Sequence, residues 1–207
     1  LEDSKVMHPT FSPDGSKLAY VKQNNLYVRD LNTGVEEAIT SDGEKNKVIY
    51  GSADWVYEEE FAFVRAFAWN SNGTKIAFQG FHNGYFHIWT INVDGSGLKQ
   101  ITSGTHDDRE PSWNEDGETI VFASDRDGSY DIWEINLKNG RIERLTNHPD
   151  DAGYPHKSPN GERLIFTREI KGQYSEIIMI NNEDDDPSVY SDLQFKNLIT
   201  QFFGILG

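Results

Sequence analysis

An eight-residue block ending in glycine occurs four times along this chain, each time followed by a short apolar run. The blocks read HPTFSPDG at 8–15, AFAWNSNG at 66–73, EPSWNEDG at 110–117 and YPHKSPNG at 154–161. The runs that follow are KLAYV at 17–21, KIAF at 75–78, TIVFA at 119–123 and RLIF at 163–166. Each pair reads as strand, tight turn, strand. Asp-Gly and Asn-Gly supply the positive φ that tight hairpin turns require. A chain that repeats one hairpin at fixed spacing is committed to a repeat fold.

Each hairpin gains a third strand: 25–31, 85–91, 130–137 and 175–180, all alternating apolar and polar residues at period two. Fourth strands follow at 36–40, 98–102, 142–146 and, beyond the acidic run Glu183 to Asp186, at 194–200. Four hairpin-linked strands recurring about every 40 to 45 residues are the pattern of β-propeller blades. The expected fold is an all-β propeller forming a single domain over 1–207. Its four four-stranded blades are expected at about 8–41, 48–103, 108–147 and 153–200, with a short insertion between blades one and two at about 42–65. Trp69, Trp89, Trp113, Trp133, Phe78, Phe122 and Phe166 are expected to fill the space between neighbouring blades.

Charge and composition narrow the function. Thirty-four acidic residues against 19 basic ones give a net charge of −15. That field repels phosphate backbones, so no nucleic-acid partner is expected; cations, amines and basic peptides are favoured. Cysteine is absent, which excludes disulfides, thiolate metal sites and a cysteine nucleophile, and suits a periplasmic or extracellular protein. No apolar run reaches the roughly 18 residues of a membrane span. The chain opens at Leu1 without a basic and apolar leader, as a processed chain or an excerpt of a longer one would.

Two resemblances follow from particular strings. PSWNEDG at 111–117, SDRDG at 124–128 and IWEI at 132–135 resemble the TolB-like propeller repeat, over about 79–200. DWVYEEEF at 54–61, followed by 66–78, resembles the N-terminal propeller of the dipeptidyl peptidase IV family of serine peptidases, over about 8–78. That resemblance implies that Glu59 and Glu60, the second and third glutamates of the run, lie on a short helix and bind a substrate's N-terminal ammonium, with Glu58 and Tyr57 beside them. The chemistry is sound in its own right, since two adjacent carboxylates can converge on one ammonium through charge-assisted hydrogen bonds. The sequence departs from the peptidases in having no Gly-x-Ser-x-Gly nucleophile elbow, so no catalytic residue is assigned and no peptidase activity is expected.

The loop histidines offer a different chemistry. His106 precedes Asp107 and Asp108, and His148 precedes Asp150 and Asp151, in equivalent loops between units. Imidazoles and carboxylates so placed are candidates for a divalent metal, as in a metal-dependent lyase or hydrolase on a TolB-like propeller. The plainer reading makes them turn and cap residues. Asp125, Asp127 and Asp131 lack the bidentate glutamate of a calcium loop. The leading expectation is a non-catalytic, cofactor-free binding module for a peptide or protein partner; a pure protein–protein scaffold is the third reading. A homodimer completing the propeller is expected from the blade count and from the apolar tail Phe202, Phe203, Ile205 and Leu206.

Overall fold

The computed structural model describes residues 5–52, 66–170 and 174–181. Among them every regular element is a β-strand, and the strands form separate antiparallel sheets. Sheet one holds β1 (Met7–Phe11), β2 (Lys17–Lys22), β3 (Asn25–Asp30) and β4 (Glu36–Ala38) in sequence order. Sheet two holds β5 (Ile49–Tyr50), β6 (Phe67–Trp69), β7 (Lys75–His82), β8 (Tyr85–Asn92) and β9 (Lys99–Gln100). Sheet three holds β10 (Asp108–Trp113), β11 (Thr119–Ser124), β12 (Asp131–Asn136) and β13 (Ile142–Arg144). Sheet four holds β14 (Asp151–Lys157), β15 (Arg163–Ile170) and β16 (Tyr174–Asn181). The fourth strand expected at 194–200 lies outside the described residues.

The repeated glycine closes the same turn each time. Gly15, Gly73, Gly117 and Gly161 have φ of 69°, 68°, 65° and 73°. Each donates its N–H to the carbonyl three residues back, at 2.8 to 3.0 Å. A side chain there would sit in the left-handed region that L-residues avoid. The glycine therefore provides a common origin for comparing sheets.

Alternation sends successive residues of one strand to opposite faces. In β7, Ile76 and Phe78 join Ala19, Val21 and Leu26 of sheet one in one core, while Ala77 joins Ile120 and Phe122 of sheet three in the next. In β11, Val121 and Ala123 join Leu164 and Phe166 of sheet four in a third. The sheets thus stack in chain order, each buried on both faces where it has two neighbours. The aromatic residues expected between blades take these places: Phe78, Trp69 and Trp89 in the first core, Trp113, Phe122 and Trp133 in the second, Phe166 in the third. Two indoles also clasp the sheet before them. Trp69 Nε1 donates to the Thr10 carbonyl at 3.3 Å, and Trp113 Nε1 to the Ala68 carbonyl at 3.2 Å.

The first strands lie close to one another, β10 against both β6 and β14. The threonines read as the ends of the fourth strands leave the ladder and bind back. Thr40, Thr102 and Thr146 accept the N–H of Leu26, Ile88 and Ile132 through Oγ1, each at 2.9 Å. This capping explains why β4, β9 and β13 are shorter than the sequence pattern.

Candidate functional site

The first strand of sheet two is made in two pieces. β5 pairs Ile49 with Phe81 and Tyr50 with Gly80, and β6 pairs Phe67 with Phe78 and Trp69 with Ile76, all on β7. Residues 49–50 therefore belong to sheet two, and the extra segment opens inside its first strand rather than between units one and two. The two ends of that segment meet, because Ala66 N–H donates to the Gly51 carbonyl at 3.3 Å. Gln79 closes the junction from β7, taking the Gly51 N–H on its carbonyl at 3.0 Å and donating to the Ala66 carbonyl at 2.9 Å. Gly51 is required there: its φ is 74°, and an added Cβ would lie 2.7 Å from Leu26 Cδ2.

Counting back seven residues from each turn glycine gives His8, Ala66, Glu110 and Tyr154. His8, Glu110 and Tyr154 have φ of 56°, 56° and 52°, although each precedes a proline, which favours extended backbone. All three lie at bulges where strand register shifts. Sheet two carries its extra residues at that same place. Non-glycine residues in this region cost about 1–3 kcal/mol and need support from their surroundings.

That support runs from sheet to sheet. Gln79 Oε1 accepts the Glu110 N–H at 3.0 Å, and Glu110 Oε2 accepts the Tyr154 N–H at 2.7 Å. Gln79 Nε2 reaches the Ser52 carbonyl at 3.3 Å. Burial pushes the Glu110 carboxyl above its usual range, against the pull of the Tyr154 bonds and the Arg109 charge. Burial, and then Glu110, raise the Tyr154 phenol. Gly153 leaves room for the carboxylate, since a Cβ there would fall 2.8 Å from Glu110 Oε2. Sequence reasoning missed this line of polar groups. Its one signal was the proline after Glu110 and Tyr154, which reads as ordinary strand punctuation.

Tyr57, Glu58, Glu59 and Glu60 lie outside the described residues, within the segment that opens between Gly51 and Ala66. Glu183 to Asp186 and the apolar tail lie outside them too. Of the loop residues proposed for a metal, Asp108, His148 and Asp151 have protein partners, while His106 Nε2 is buried without a hydrogen bond. Asp108 is fully buried, with Arg126 Nη2 at 2.7 Å from Oδ1, and with His87 Nδ1 and His106 Nε2 each at 3.4 Å from Oδ2. Both imidazoles approach the same carboxylate oxygen, within hydrogen-bond reach for His87 but not bonded by His106 Nε2, and the Arg126 guanidinium holds the other oxygen. Burial works against the Asp108 charge, but bonds from His87, Ser124 and Thr102 and the Arg126 charge outweigh it, so the carboxyl stays below its usual range. His148 lies 3.3 Å from Asp150 Oδ2 and 3.3 Å from Arg168 Nη1. Asp151 takes the Tyr130 N–H at 2.9 Å, as Asp107 takes that of Phe86 at 2.8 Å. Among the described residues no group of three or more histidines and carboxylates is arranged to hold a metal ion.

The TolB β-propeller domain family matches residues 2–196. The chain belongs to that family. This propeller domain is similar in fold to TolB from Acinetobacter baumannii, with a TM-score of 0.67 and 24% identity over 86% of this chain and 41% of that one. It is similar in fold to dipeptidyl peptidase 4 from Porphyromonas gingivalis, with a TM-score of 0.63 and 18% identity over 87% of this chain and 31% of that one. In sequence it is 44% identical over 75 residues to dipeptidyl peptidase 4 of Felis catus, 36% of this chain and 10% of that protein. It is 40% identical over 79 residues to prolyl endopeptidase FAP of Homo sapiens, 38% of this chain and 10% of that protein. The propeller domain thus spans about a tenth of the length of these two relatives.

Proposed function

We propose that this domain is a non-catalytic binding module that takes the free N-terminus of a peptide or protein, with Glu59 and Glu60 as the ammonium-binding pair and Glu58 and Tyr57 beside them. The observation that carries the reading is the position of the junction. Gly51 and Ala66 bring the ends of the glutamate-bearing segment together on the first strand of sheet two, level with the left-handed residues of the other first strands. The 44% identity to dipeptidyl peptidase 4 over 75 residues supports the same assignment. In this reading the sheets are four blades, the last completed by residues 194–200. A periplasmic or extracellular setting, where free peptide termini are the targets, belongs to it as well.

The test compares a free peptide with its N-acetylated twin. Charge-assisted hydrogen bonds are worth about 1.5–3 kcal/mol each. The free peptide is therefore expected to bind, the acetylated one not, and the Glu59→Gln/Glu60→Gln variant is expected to lose the distinction in calorimetry. Equal binding of both peptides would refute amine recognition. Release of dipeptide from a proline-containing chromogenic substrate, co-eluting with the purified chain, would refute the non-catalytic part.

A further inference from the structure

We propose that Asn83–Gly84 is a modification site, at which the asparagine amide is lost through attack by the backbone nitrogen of the next residue, opening the tip of the β7–β8 hairpin. The inference is independent of amine recognition. It rests on how the fold holds the Asn-Gly pairs of this chain, at 72–73, 83–84, 139–140 and 160–161.

The reaction joins the Gly84 nitrogen to Cγ of Asn83. The Gly84 N–H proton passes to a solvent base and the Cγ–Nδ2 bond breaks. Ammonia leaves with a proton returned by solvent, and a succinimide ring closes. Water then opens the ring at either carbonyl. One product is aspartate. The other is isoaspartate, in which the backbone runs through Cβ and is longer by one atom. Glycine favours the attack, since no Cβ crowds its nitrogen. The step also needs the asparagine side chain and the glycine N–H to be free of other bonds.

Three of the pairs are locked. Gly73, Gly140 and Gly161 donate their N–H to the carbonyls of Asn70, Asn136 and Ser158 at 3.0, 2.8 and 2.8 Å. Their asparagines are held as well. Asn72 Oδ1 accepts the Thr74 N–H at 3.1 Å, Asn139 Oδ1 the Arg141 N–H at 2.9 Å and Asn160 Oδ1 the Glu162 N–H at 3.2 Å.

Asn83–Gly84 is held differently. With φ of 56° and 92°, the pair forms the whole two-residue turn between β7 and β8, closed by His82 opposite Tyr85. Both residues are exposed. Among the described residues, neither the Asn83 side chain nor the Gly84 N–H has a hydrogen-bond partner, and a Cβ on Gly84 would meet nothing within 4 Å. The turn itself does not require the labile pair, because sheet one makes the corresponding turn with Gln23 and Asn24 at φ of 53° and 59°. Isoaspartate at position 83 lengthens a turn whose two residues match the twist of the flanking strands. The change falls two residues from Phe81, which pairs with Ile49 of β5 and packs on Phe86 with ring centroids 5.0 Å apart.

Peptide mapping by mass spectrometry tests this on the full chain, kept folded in mildly alkaline buffer and sampled over time. Asn83 is expected to gain the mass of an amide-to-acid change about tenfold faster than Asn72, Asn139 and Asn160, because hydrogen bonds of ordinary strength must open before those three can react. In guanidinium chloride all four are expected to convert at similar rates. A folded chain in which Asn83 converts no faster than the others would overturn the proposal, as would a ranking that persists in denaturant. The Asn83→Gln/Gly84→Asn variant, which borrows the turn of sheet one, is expected to fold and to show no conversion at this turn. Hydrogen exchange adds a second readout. The amides of His82 and Tyr85 are expected to exchange faster in the isoaspartate form; exchange equal to that of the unconverted chain would overturn the opening of the tip.

Discussion

Glu110 holds the backbone N–H of Tyr154 through Oε2 at 2.7 Å, across the boundary between sheets three and four. Burial raises this carboxyl, so its proton is bound more tightly in the folded chain than in the unfolded one. The resulting stability is fully present below the ordinary glutamate range near 4.5 and is lost as pH rises through the higher folded value. Glu110→Gln keeps an acceptor for Tyr154 and removes the titration. Relative to that variant, the unaltered chain is expected to lose stability between pH 4.5 and neutrality. Urea unfolding across that window checks it, and parallel pH profiles for the two proteins would contradict it.

Asp108, two residues earlier on β10, slopes the other way. Its carboxyl is held below the usual range despite burial, so its contribution is present above the unfolded aspartate value and is lost as pH falls through the folded one. Asp108→Ala strands Arg126, whose guanidinium is 2.7 Å from the missing oxygen. Removing one partner of a buried pair costs about 3–5 kcal/mol. Chemical denaturation at pH 7 is expected to show a loss of that size, shrinking in acid. A loss below 1 kcal/mol would mean that the pair is solvated.

Trp113→Phe keeps most of the ring volume in the core between sheets two and three but leaves the Ala68 carbonyl without its donor. A neutral hydrogen bond contributes about 0.5–1.5 kcal/mol net. The variant is expected to lose that amount in urea unfolding, and the amide protons of β6 are expected to exchange faster. Unchanged exchange at β6 would count against the indole as a clasp between sheets.

The hairpins were legible in the sequence because their determinants are local. Gly15, Gly73, Gly117 and Gly161 fix the turns, and residues 17–21 and 119–123 carry their strand character on their faces. The division of β5 from β6 was not legible. β5 is two residues long, and only its pairing with Phe81 and Gly80 assigns Ile49 and Tyr50 to sheet two. Strand ends at Thr40, Thr102 and Thr146 were overread for a related reason, since a threonine suits the ladder as well as the cap. The histidines show the limit for the site. His106 was singled out by the acids that follow it, yet its partner His87 lies on β8, where alternation marks it only as a strand residue. Gln79, Glu110 and Tyr154 are joined through backbone N–H groups, which leave no mark on side-chain composition.

The meeting of Gly51 and Ala66 has a consequence for how such a domain changes over generations. A hydrogen bond of 3.3 Å pins both ends of the intervening segment, so the sheets on either side do not register its length. Closing a longer loop between fixed ends adds only about 0.6 kcal/mol for each doubling. Residues can be added, exchanged or removed there while the ladder of β7 keeps its partners on both sides. The junction works as a port in a rigid wall: what is inserted between Gly51 and Ala66 can be exchanged without disturbing the pairing of β5 and β6 on β7.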